Sequence, residues 1–365
     1  MSRGLDDRQV RHTAAWLAAQ QTPSGELPWS SNGKMDPWDH VQAAMGLTAV
    51  GLGERARAAF RYLARTQEPR GGWAAERRHG RVIDPAQETN HAAYLATGLW
   101  HLHRHRPDPD FLAEMWPTLE RAIDFVVELQ LPDGTVAWAE RDGRVWDAPL
   151  MAGSASIHGS LVCALRIAHR LGHDRPRWRT ARERLARVLR HDPGAFEGAG
   201  VPTPPGRHSM DWYYPVLGGA IRGEAGRRTL LEPRSSGAFL KEGAGCRCVR
   251  DAPWYTVAET CELVLALHAV GLESRAREVL SWTHWQRTES GAYWTGTTHP
   301  GLEIYPEGEQ TTWTAATVLL AHDAVHRDTS TSRFFVELEG RELGTAETAG
   351  RDREGSAPEA PQAAE

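Results

Sequence analysis

The feature that most constrains the fold is the alternation of two kinds of helical segment along the chain. One kind is amphipathic and rich in Arg and Glu, whereas the other is small and apolar on nearly all sides. The amphipathic segments are 8–20, 54–67, 116–130, 177–190, 273–286 and, less regularly, 227–241. The apolar segments are 38–50, 90–101, 156–168, 215–221, 258–270 and 312–324.

A helix that is apolar on nearly all sides must be buried on nearly all sides, so the second set predicts an inner ring and the first set an outer wall. Four short turns that run from Gln through Gly to Trp support a repeated unit, at 21–29, 67–73, 130–138 and 286–294. The sequence therefore predicts an all-α fold, an (α/α)6 toroid with six inner and six outer helices. Because no break in composition divides the chain, residues 1–335 are expected to form one domain.

Composition excludes several classes of partner. A net charge of -5 with interspersed acids and bases gives no basic surface for nucleic acid. No apolar run approaches the roughly 20 residues needed to span a bilayer, and the first 20 residues lack a signal-peptide pattern. Four cysteines are too few for a disulfide framework, which favours the cytoplasm. The segment 336–365 is poor in large apolar residues and is expected to be a disordered tail.

Polar and aromatic residues collect where each apolar segment begins, a position that we call the mouth of the inner helix. In a ring of this kind the mouths converge on one cavity. At the first mouth Asp36 and Asp39 flank Trp38, and His40 follows. Both acids could serve only to cap the helix, but a cap needs one acid and gains nothing from an indole, on which a sugar ring can stack.

The other mouths repeat this mixture. Amides, hydroxyls and imidazoles suggest recognition of hydroxyl groups, although a lone His is more often a hydrogen-bonded structural residue. An aromatic cluster is likewise more often core than binding site. The candidate substrate-binding residues are Trp38, His40, Glu88, Asn90, His91, His158, Asp211, Trp212, Tyr213, Tyr214, Trp294 and Trp313.

The fifth mouth carries two glutamates. Thr256 is placed to form a capping box with Glu259, which suffices to explain that acid. Glu262 lies one turn deeper on the same face and precedes an apolar run, so we expect burial to raise its pKa.

These Gln-to-Trp turns and the paired helices resemble the repeats of squalene-hopene cyclases and of the β-subunits of protein prenyltransferases. The Asp-x-Asp-Asp motif of the cyclases is absent from the sequence. The zinc site of the transferases is matched only by Glu259-Thr-Cys261, because the later helix reads Gln310-Thr-Thr-Trp313 and lacks the His. The sequence therefore predicts no metal site and no cofactor.

A second resemblance is more specific and extends over roughly residues 8–326. The strings Glu88-Thr-Asn-His91, 209–219 and 258–267 are similar to an actinobacterial group, often labelled prenyltransferase-like, that includes methylmannose polysaccharide hydrolases. The resemblance implies an endomannanase that cleaves internal α-mannosidic bonds in a partly methylated mannan.

Glycoside hydrolysis requires one carboxylic acid to protonate the leaving oxygen and one carboxylate to activate water or attack the sugar. We assign Glu262 as the acid and Asp39 or Asp36 as the base, with Glu259 and Asp211 in reserve. Inversion is expected by analogy with hydrolases of this architecture. Two alternatives stay open: an isoprenoid transferase or cyclase on the same toroid, and a non-catalytic glycan-binding toroid.

Overall fold

The computed structural model of the chain describes residues 4–197, 206–327 and 329–338, and over them the protein is mostly helical. The α-helices are α1 Asp7–Ala19, α2 Pro37–Ala49, α3 Gly53–Thr66, α4 Thr89–His105, α5 Pro109–Glu128, α6 Met151–Arg170, α7 Pro176–His191, α8 Met210–Leu217, α9 Gly223–Leu231, α10 Pro233–Phe239, α11 Val257–Ala269, α12 Glu273–Ser281 and α13 Thr312–His326. The strands are β1 Lys34–Met35, β2 Ala74–Arg78, β3 Arg81–Glu88, β4 Ala139–Arg141, β5 Arg144–Trp146, β6 Leu240–Lys241, β7 Gly245–Arg247, β8 Trp254–Thr256 and β9 Gly296–Thr298.

Six helices close a ring. In the order α2, α4, α6, α8, α11 and α13, each packs against the next, and α13 packs against α2. Five of these helices coincide with the predicted apolar segments, whereas α8 shares only residues 215–217 with the predicted 215–221. Every residue of α11 is buried. Helices α1, α3, α5, α7, α9 and α12 pack on the outside of the ring. The predicted division into inner and outer helices therefore matches the packing.

The Gln-to-Trp turns fasten neighbouring outer helices together. The Nε2 atom of Gln67 donates to Gly71 O at 2.7 Å within its own turn and to Thr118 O of α5 at 2.9 Å. Gln21 makes the same pair of bonds to Gly25 O and to Arg55 O of α3. Gly71 has a φ of 113°, and a Cβ there would lie 2.4 Å from Arg121 O of α5, so only glycine fits.

Two small antiparallel sheets lie at the N-terminal ends of the inner helices, and the expectation of an all-α fold is wrong to that extent. Strands β1 to β5 form one sheet in sequence order, and β6 to β9 form the other. The hairpins β2–β3 and β4–β5 turn at His79-Gly80 and Asp142-Gly143, where all four residues have positive φ, as type I′ turns require. Strands β3 and β8 run directly into α4 and α11, so the sheets build walls around the mouths.

Prolines account for the main errors in the predicted helix bounds. Helix α5 begins at Pro109, capped by Asp108, and continues through Pro117, so it starts seven residues before the predicted segment 116–130. Pro233 divides the segment 227–241 into α9 and α10. Helix α8 begins at Met210 and contains Pro215, so the mouth residues 210–214 lie within the helix and not before it.

The packed body continues past the expected domain boundary at residue 335. Residues 336–338 form a short 3-10 helix, and Leu338 is buried in the core. The rest of the expected tail, residues 339–365, lies outside the described residues. None of the described helices combines the length and apolarity needed to cross a membrane.

Candidate active site

A cleft of about 530 Å³ opens at the mouths of the inner helices. Its floor and walls come from the N-terminal ends of α2, α4, α6, α8 and α13 and from strands β1, β2 and β3. The sequence-predicted residues that line it are Asp36, Trp38, Asp39, Glu88, Asn90, His91, Asp211 and Trp313. Residues from four separate stretches of sequence thus meet in one hollow.

The two aspartates of the first mouth have different environments. Asp36 is the N-cap of α2, and its Oδ1 accepts a hydrogen bond from Asp39 N at 2.9 Å. Asp39 lies in the first turn and is partly exposed to the cleft. Burial raises the pKa of Asp39 well above its ordinary value, the neighbouring Asp36 carboxylate raises it further, and the Lys34 ammonium opposes both. The carboxylate of Asp36 therefore serves as the helix cap, while the surroundings of Asp39 raise its pKa.

Trp38 covers a hydrogen-bonded network beneath the cleft floor. Its indole stacks on Tyr94 with ring centroids 4.6 Å apart, and its Nε1 donates to Gln42 Oε1 at 3.0 Å. The Nε2 atom of Gln42 in turn donates to Glu262 Oε1 at 3.0 Å. The hydroxyls of Tyr214 and Tyr213 donate to the two carboxylate oxygens of Glu262 at 2.8 and 2.7 Å.

The two glutamates of the fifth mouth do not line the cleft. Glu262 is 0% exposed. Burial raises the pKa of Glu262 to about 7, the Glu259 charge adds to this effect, and the three hydrogen-bond donors oppose it. Glu259 is also buried and accepts a hydrogen bond from the Thr256 hydroxyl. The expected high pKa of Glu262 is present, but the carboxyl group lies one layer below the cavity.

The second mouth presents a carboxylate held between a ring and an imidazole. The Nε1 atom of Trp138 donates to Glu88 Oε2 at 3.0 Å, and His91 Nε2 lies 3.5 Å from the same oxygen. Trp138 and Asn90 line the cleft beside them. This wall therefore offers an indole, an amide, an imidazole and a carboxylate within a short span, a set suited to binding sugar hydroxyls and ring faces.

Asp211 lies at the mouth of α8. In the ring order α2, α4, α6, α8, α11, α13, helix α8 stands opposite α2, so Asp211 and Asp39 enter the cleft from opposite sides. The two carboxylate oxygens of Asp211 accept hydrogen bonds from Ala152 N at 3.2 Å and Gly206 N at 3.1 Å. Burial raises the pKa of Asp211, and these backbone N–H groups oppose the rise by stabilising the anion.

Several predicted binding residues lie away from the cleft, and for these the predicted location is wrong. The ring of His40 is fully buried, accepting from Leu27 N at 3.1 Å and bonding Ala59 O at 3.0 Å, and burial lowers its pKa to about 4. The Nε1 atom of Trp212 donates to Thr229 O, and its ring stacks on Phe239. The remaining residues that do not line the cleft are His158, Tyr213, Tyr214 and Trp294.

Helical geometry explains most of these errors. Successive residues of an α-helix point about 100° apart, so His40 and Trp212 face away from the cavity that their neighbours Asp39 and Asp211 enter. Tyr213 and Tyr214 are in the predicted neighbourhood but point down onto Glu262. His158 lies two turns into α6 and lines a different cavity.

The cleft also contains residues that the sequence alone did not single out. Lys34, Glu76 and Asp84 reach it from β1, β2 and β3, and His208 reaches it from the segment before α8. The Asp142-Gly143 pair between Ala139 and Trp146 is a strong hairpin signal and would have revealed part of this sheet.

Comparison with known proteins places the chain. It matches no protein-family model. Over 331 residues it is 45% identical to the MMP endo-(1,4)-3-O-methyl-α-D-mannosidase of Mycolicibacterium hassiacum, covering 91% of this chain and 90% of that protein. Its fold is similar to that of a wild-type glycosidase, with a TM-score of 0.65 and 16% identity over 92% of this chain and 100% of that one.

It is also similar to the GH63 mannosylglycerate hydrolase of Thermus thermophilus in complex with glucose, with a TM-score of 0.62 and 13% identity over 85% of this chain and 99% of that one. At such identities the two structures support the fold alone.

Proposed function

We propose that this chain, which belongs to the family of the MMP endo-(1,4)-3-O-methyl-α-D-mannosidase, hydrolyses internal α-1,4-mannosidic bonds of a methylated mannan. It is a glycoside hydrolase, and the mannan, the endo mode and the mechanism are the proposed part. The observation that carries the proposal is a single cleft in which Asp39 and Asp211 approach from opposite helices beside the indoles of Trp38, Trp138 and Trp313. We class the ring that builds this cleft as an (α/α)6 toroid to which two small sheets have been added.

Asp39, expected from the sequence to be the base, is here the proposed general acid. A general acid must hold its proton at working pH and must reach the glycosidic oxygen. Asp39 is open to the cleft, and burial together with the Asp36 carboxylate keeps the pKa of Asp39 high. Burial and the nearby Asp36 carboxylate both disfavour the charged form of Asp39, so Asp39 keeps its proton to a higher pH than an ordinary aspartate does.

Asp211 is the proposed general base. Two backbone N–H groups fix its orientation and favour the ionised form. Its position across the ring from Asp39 leaves the sugar between the two groups, with a water molecule on the Asp211 side. The proposal of inversion requires the two carboxyl groups to lie about 6.5–9.5 Å apart across the sugar, whereas about 5 Å would favour retention.

Glu262 remains the alternative acid, because its pKa of about 7 suits that role. We favour a positioning role, since its carboxylate accepts three hydrogen bonds and touches no part of the cleft. By holding Gln42, Tyr213 and Tyr214, it fixes the underside of Trp38, on which the sugar stacks.

The rim of the cleft offers apolar side chains that suit a methylated substrate. Ile83 and Val82 are 55% and 44% exposed and directly precede Asp84 in the cleft wall. Burial of the apolar surface of an O-methyl group against these side chains would stabilise binding by roughly 25 cal/mol per Å². We therefore propose that this hairpin contacts methyl groups of the polysaccharide.

The acid and base are separated by a leaving-group test. Asp39→Asn and Asp211→Asn should each lower kcat on the polymer by about 10²- to 10⁴-fold. On an aryl oligomannoside with an acidic phenol, Asp39→Asn should recover most of its activity, because that leaving group needs no proton. Asp211→Asn should stay inactive on both substrates. For the parent enzyme, proton NMR of the first product should show an inverted anomer.

Glu262→Gln is the matched comparison. If Glu262→Gln is rescued by the aryl substrate and Asp39→Asn is not, Glu262 is the acid. If all three variants cleave the polymer at the parent rate while folded, these carboxylates are only structural and the assignment of acid and base is wrong. If the parent protein binds the polymer and does not cleave it, the chain is a glycan-binding protein.

An isoprenoid transferase would require a metal site. Within the part of the chain that the structure describes, no three His, Cys, Asp or Glu side chains are grouped to hold one, and Cys261 is fully buried. The four cysteines are free, which supports a reducing compartment and hence the cytoplasm as the proposed location.

A further inference from the structure

A second cavity lies outside the cleft and shares no lining residue with it. It has a volume of about 850 Å³ and lies between α6, α7 and the segment that follows α8. Five arginines line it, together with a single carboxylate, that of Glu183. The arginines are Arg166, Arg179, Arg182, Arg190 and Arg222.

Main-chain carbonyl groups hold several of these guanidinium groups without neutralising them. The Nη2 atom of Arg166 donates to Glu337 O at 2.6 Å, and Nε of Arg190 donates to Ala220 O at 2.6 Å. Neither Arg166 nor Arg190 forms an ion pair with any carboxylate among residues 4–197, 206–327 and 329–338. Their charges are therefore positioned but uncompensated within the described chain.

The ion pairs of Arg182 and Arg179 are weak or lie outside the cavity. Arg182 lies 3.7 Å from Glu183, and Arg179 pairs with Asp174, a residue outside the cavity, at 2.9 Å. Exposed pairs of this kind are worth little. Without counting Arg222, the cavity holds Arg166, Arg179, Arg182 and Arg190 against the one carboxylate of Glu183.

The charges are close enough to act on one another. Burial lowers the pKa of Arg182, and the charges of Arg190, Arg179 and Arg166 lower it further, although Glu183 opposes them. The same field reaches His158 on α6, whose Nδ1 bonds Gly218 O at 2.8 Å. Burial and then the neighbouring arginines lower the pKa of His158 to about 4.

We propose that this cavity binds a small molecule through a phosphate or carboxylate group. Arginine presents a planar set of donors that matches either oxyanion in a bidentate manner, and several arginines around one hollow are typical of such sites. The volume lies in the range of small-molecule sites, so the cavity has room for a ligand larger than a bare ion. The inference does not depend on the activity proposed for the cleft.

Binding to the full-length protein tests the proposal. Isothermal titration calorimetry with glucose 6-phosphate, citrate and inorganic phosphate would distinguish the two oxyanions, with sodium chloride at equal ionic strength and neutral glucose as controls. We expect one organic anion to bind in a one-to-one ratio and to raise the Tm. Arg182→Gln should weaken binding at least about tenfold, which corresponds to about 1.4 kcal/mol.

Arg187→Gln is the matched control, because Arg187 is exposed on the same helix but does not line the cavity. It should change the affinity less than about twofold, within the small effect of an exposed charge. Arg182→Lys keeps the positive charge but loses the planar set of donors. Its affinity for the anion should therefore lie between those of the parent and Arg182→Gln. Circular dichroism and glycosidase activity would show that each variant is folded.

Three results would overturn the proposal. One is that none of the anions binds above the sodium chloride control, and another is that Arg187→Gln weakens binding as much as Arg182→Gln. The third concerns the acidic residues that follow Leu338 in the sequence. If the full chain gains anion binding only when Glu339, Glu342 and Glu347 are replaced by glutamine, its own carboxylates are the occupant.

Discussion

Replacing Glu262 by Gln should change how the stability of the protein depends on pH. The carboxyl group is fully buried and is held by Gln42, Tyr213 and Tyr214. The amide has the same shape and no titratable proton. The substitution therefore removes one buried ionisation and leaves the surrounding packing in place.

The magnitude follows from the pKa of Glu262, which burial raises from 4.5 to about 7. Since the folded protein keeps this proton to higher pH than the unfolded chain, its free energy of unfolding falls as pH rises from about 4.5 to about 7. At about 1.4 kcal/mol per pH unit, the loss contributed by Glu262 is roughly 3 kcal/mol. It is absent below pH 4.5 and complete somewhat above pH 7.

Guanidinium unfolding at pH 4.5, 5.5, 6.5 and 7.5 would measure this effect as the difference between parent and variant. Taking the difference cancels every group that titrates alike in both proteins. We expect the variant to gain roughly 3 kcal/mol relative to the parent between pH 4.5 and 7.5. A control substitution at the exposed Glu307, Glu307→Gln, should give a constant difference.

A difference for Glu262→Gln that does not vary with pH would refute the reasoning. It would mean that the folded carboxyl group loses its proton at about the same pH as it does in the unfolded chain.

Three further predictions concern the turns and the cleft. Gln67→Ala removes one bond within the turn, to Gly71 O, and one bond that fastens the turn to α5, to Thr118 O, and should lower the free energy of unfolding by about 1–3 kcal/mol in chemical denaturation; no loss would mean that the turn holds without them. Gly71→Ala should destabilise by at least about 2 kcal/mol, because the new Cβ meets Arg121 O, whereas Gly80→Ala, in open space, should cost only the strain of a positive φ; equal costs would contradict this account. Trp313→Ala should raise KM for the polysaccharide about tenfold by removing a stacking surface in the cleft, while Trp285→Ala, exposed outside it, should leave KM unchanged; similar KM values would remove Trp313 from the binding site.

The ring could be predicted because its cause is local. A helix such as α11, apolar on every side, can be satisfied only by neighbours on every side, and six such segments in alternation leave few alternatives to a closed inner layer. The positions of Asp36, Asp39 and Asp211 at the cleft follow from their place at the start of inner helices.

The depth of each side chain could not be predicted in the same way. Glu262 was expected at the cavity, and it is sealed off by Tyr213 and Tyr214, which come from a helix about 50 residues earlier. The apolar pattern within α11 cannot predict that long-range contact, because the contact depends on where α8 packs. The acids Glu76 and Asp84 were missed for a different reason, since they depend on strands that a purely helical interpretation left out.

The ring closes where the first and last of its α-helices in chain order meet. Helix α1 packs against α13, Arg287 Nη2 donates to Gln9 O, and Thr312 N donates to Trp29 O at 2.8 Å. This seam is built from the same kinds of contact as the other joints, although nothing covalent crosses it. New termini cut into an exposed turn such as Gly143, with the old ends tethered, should therefore yield a circularly permuted enzyme with the same cleft.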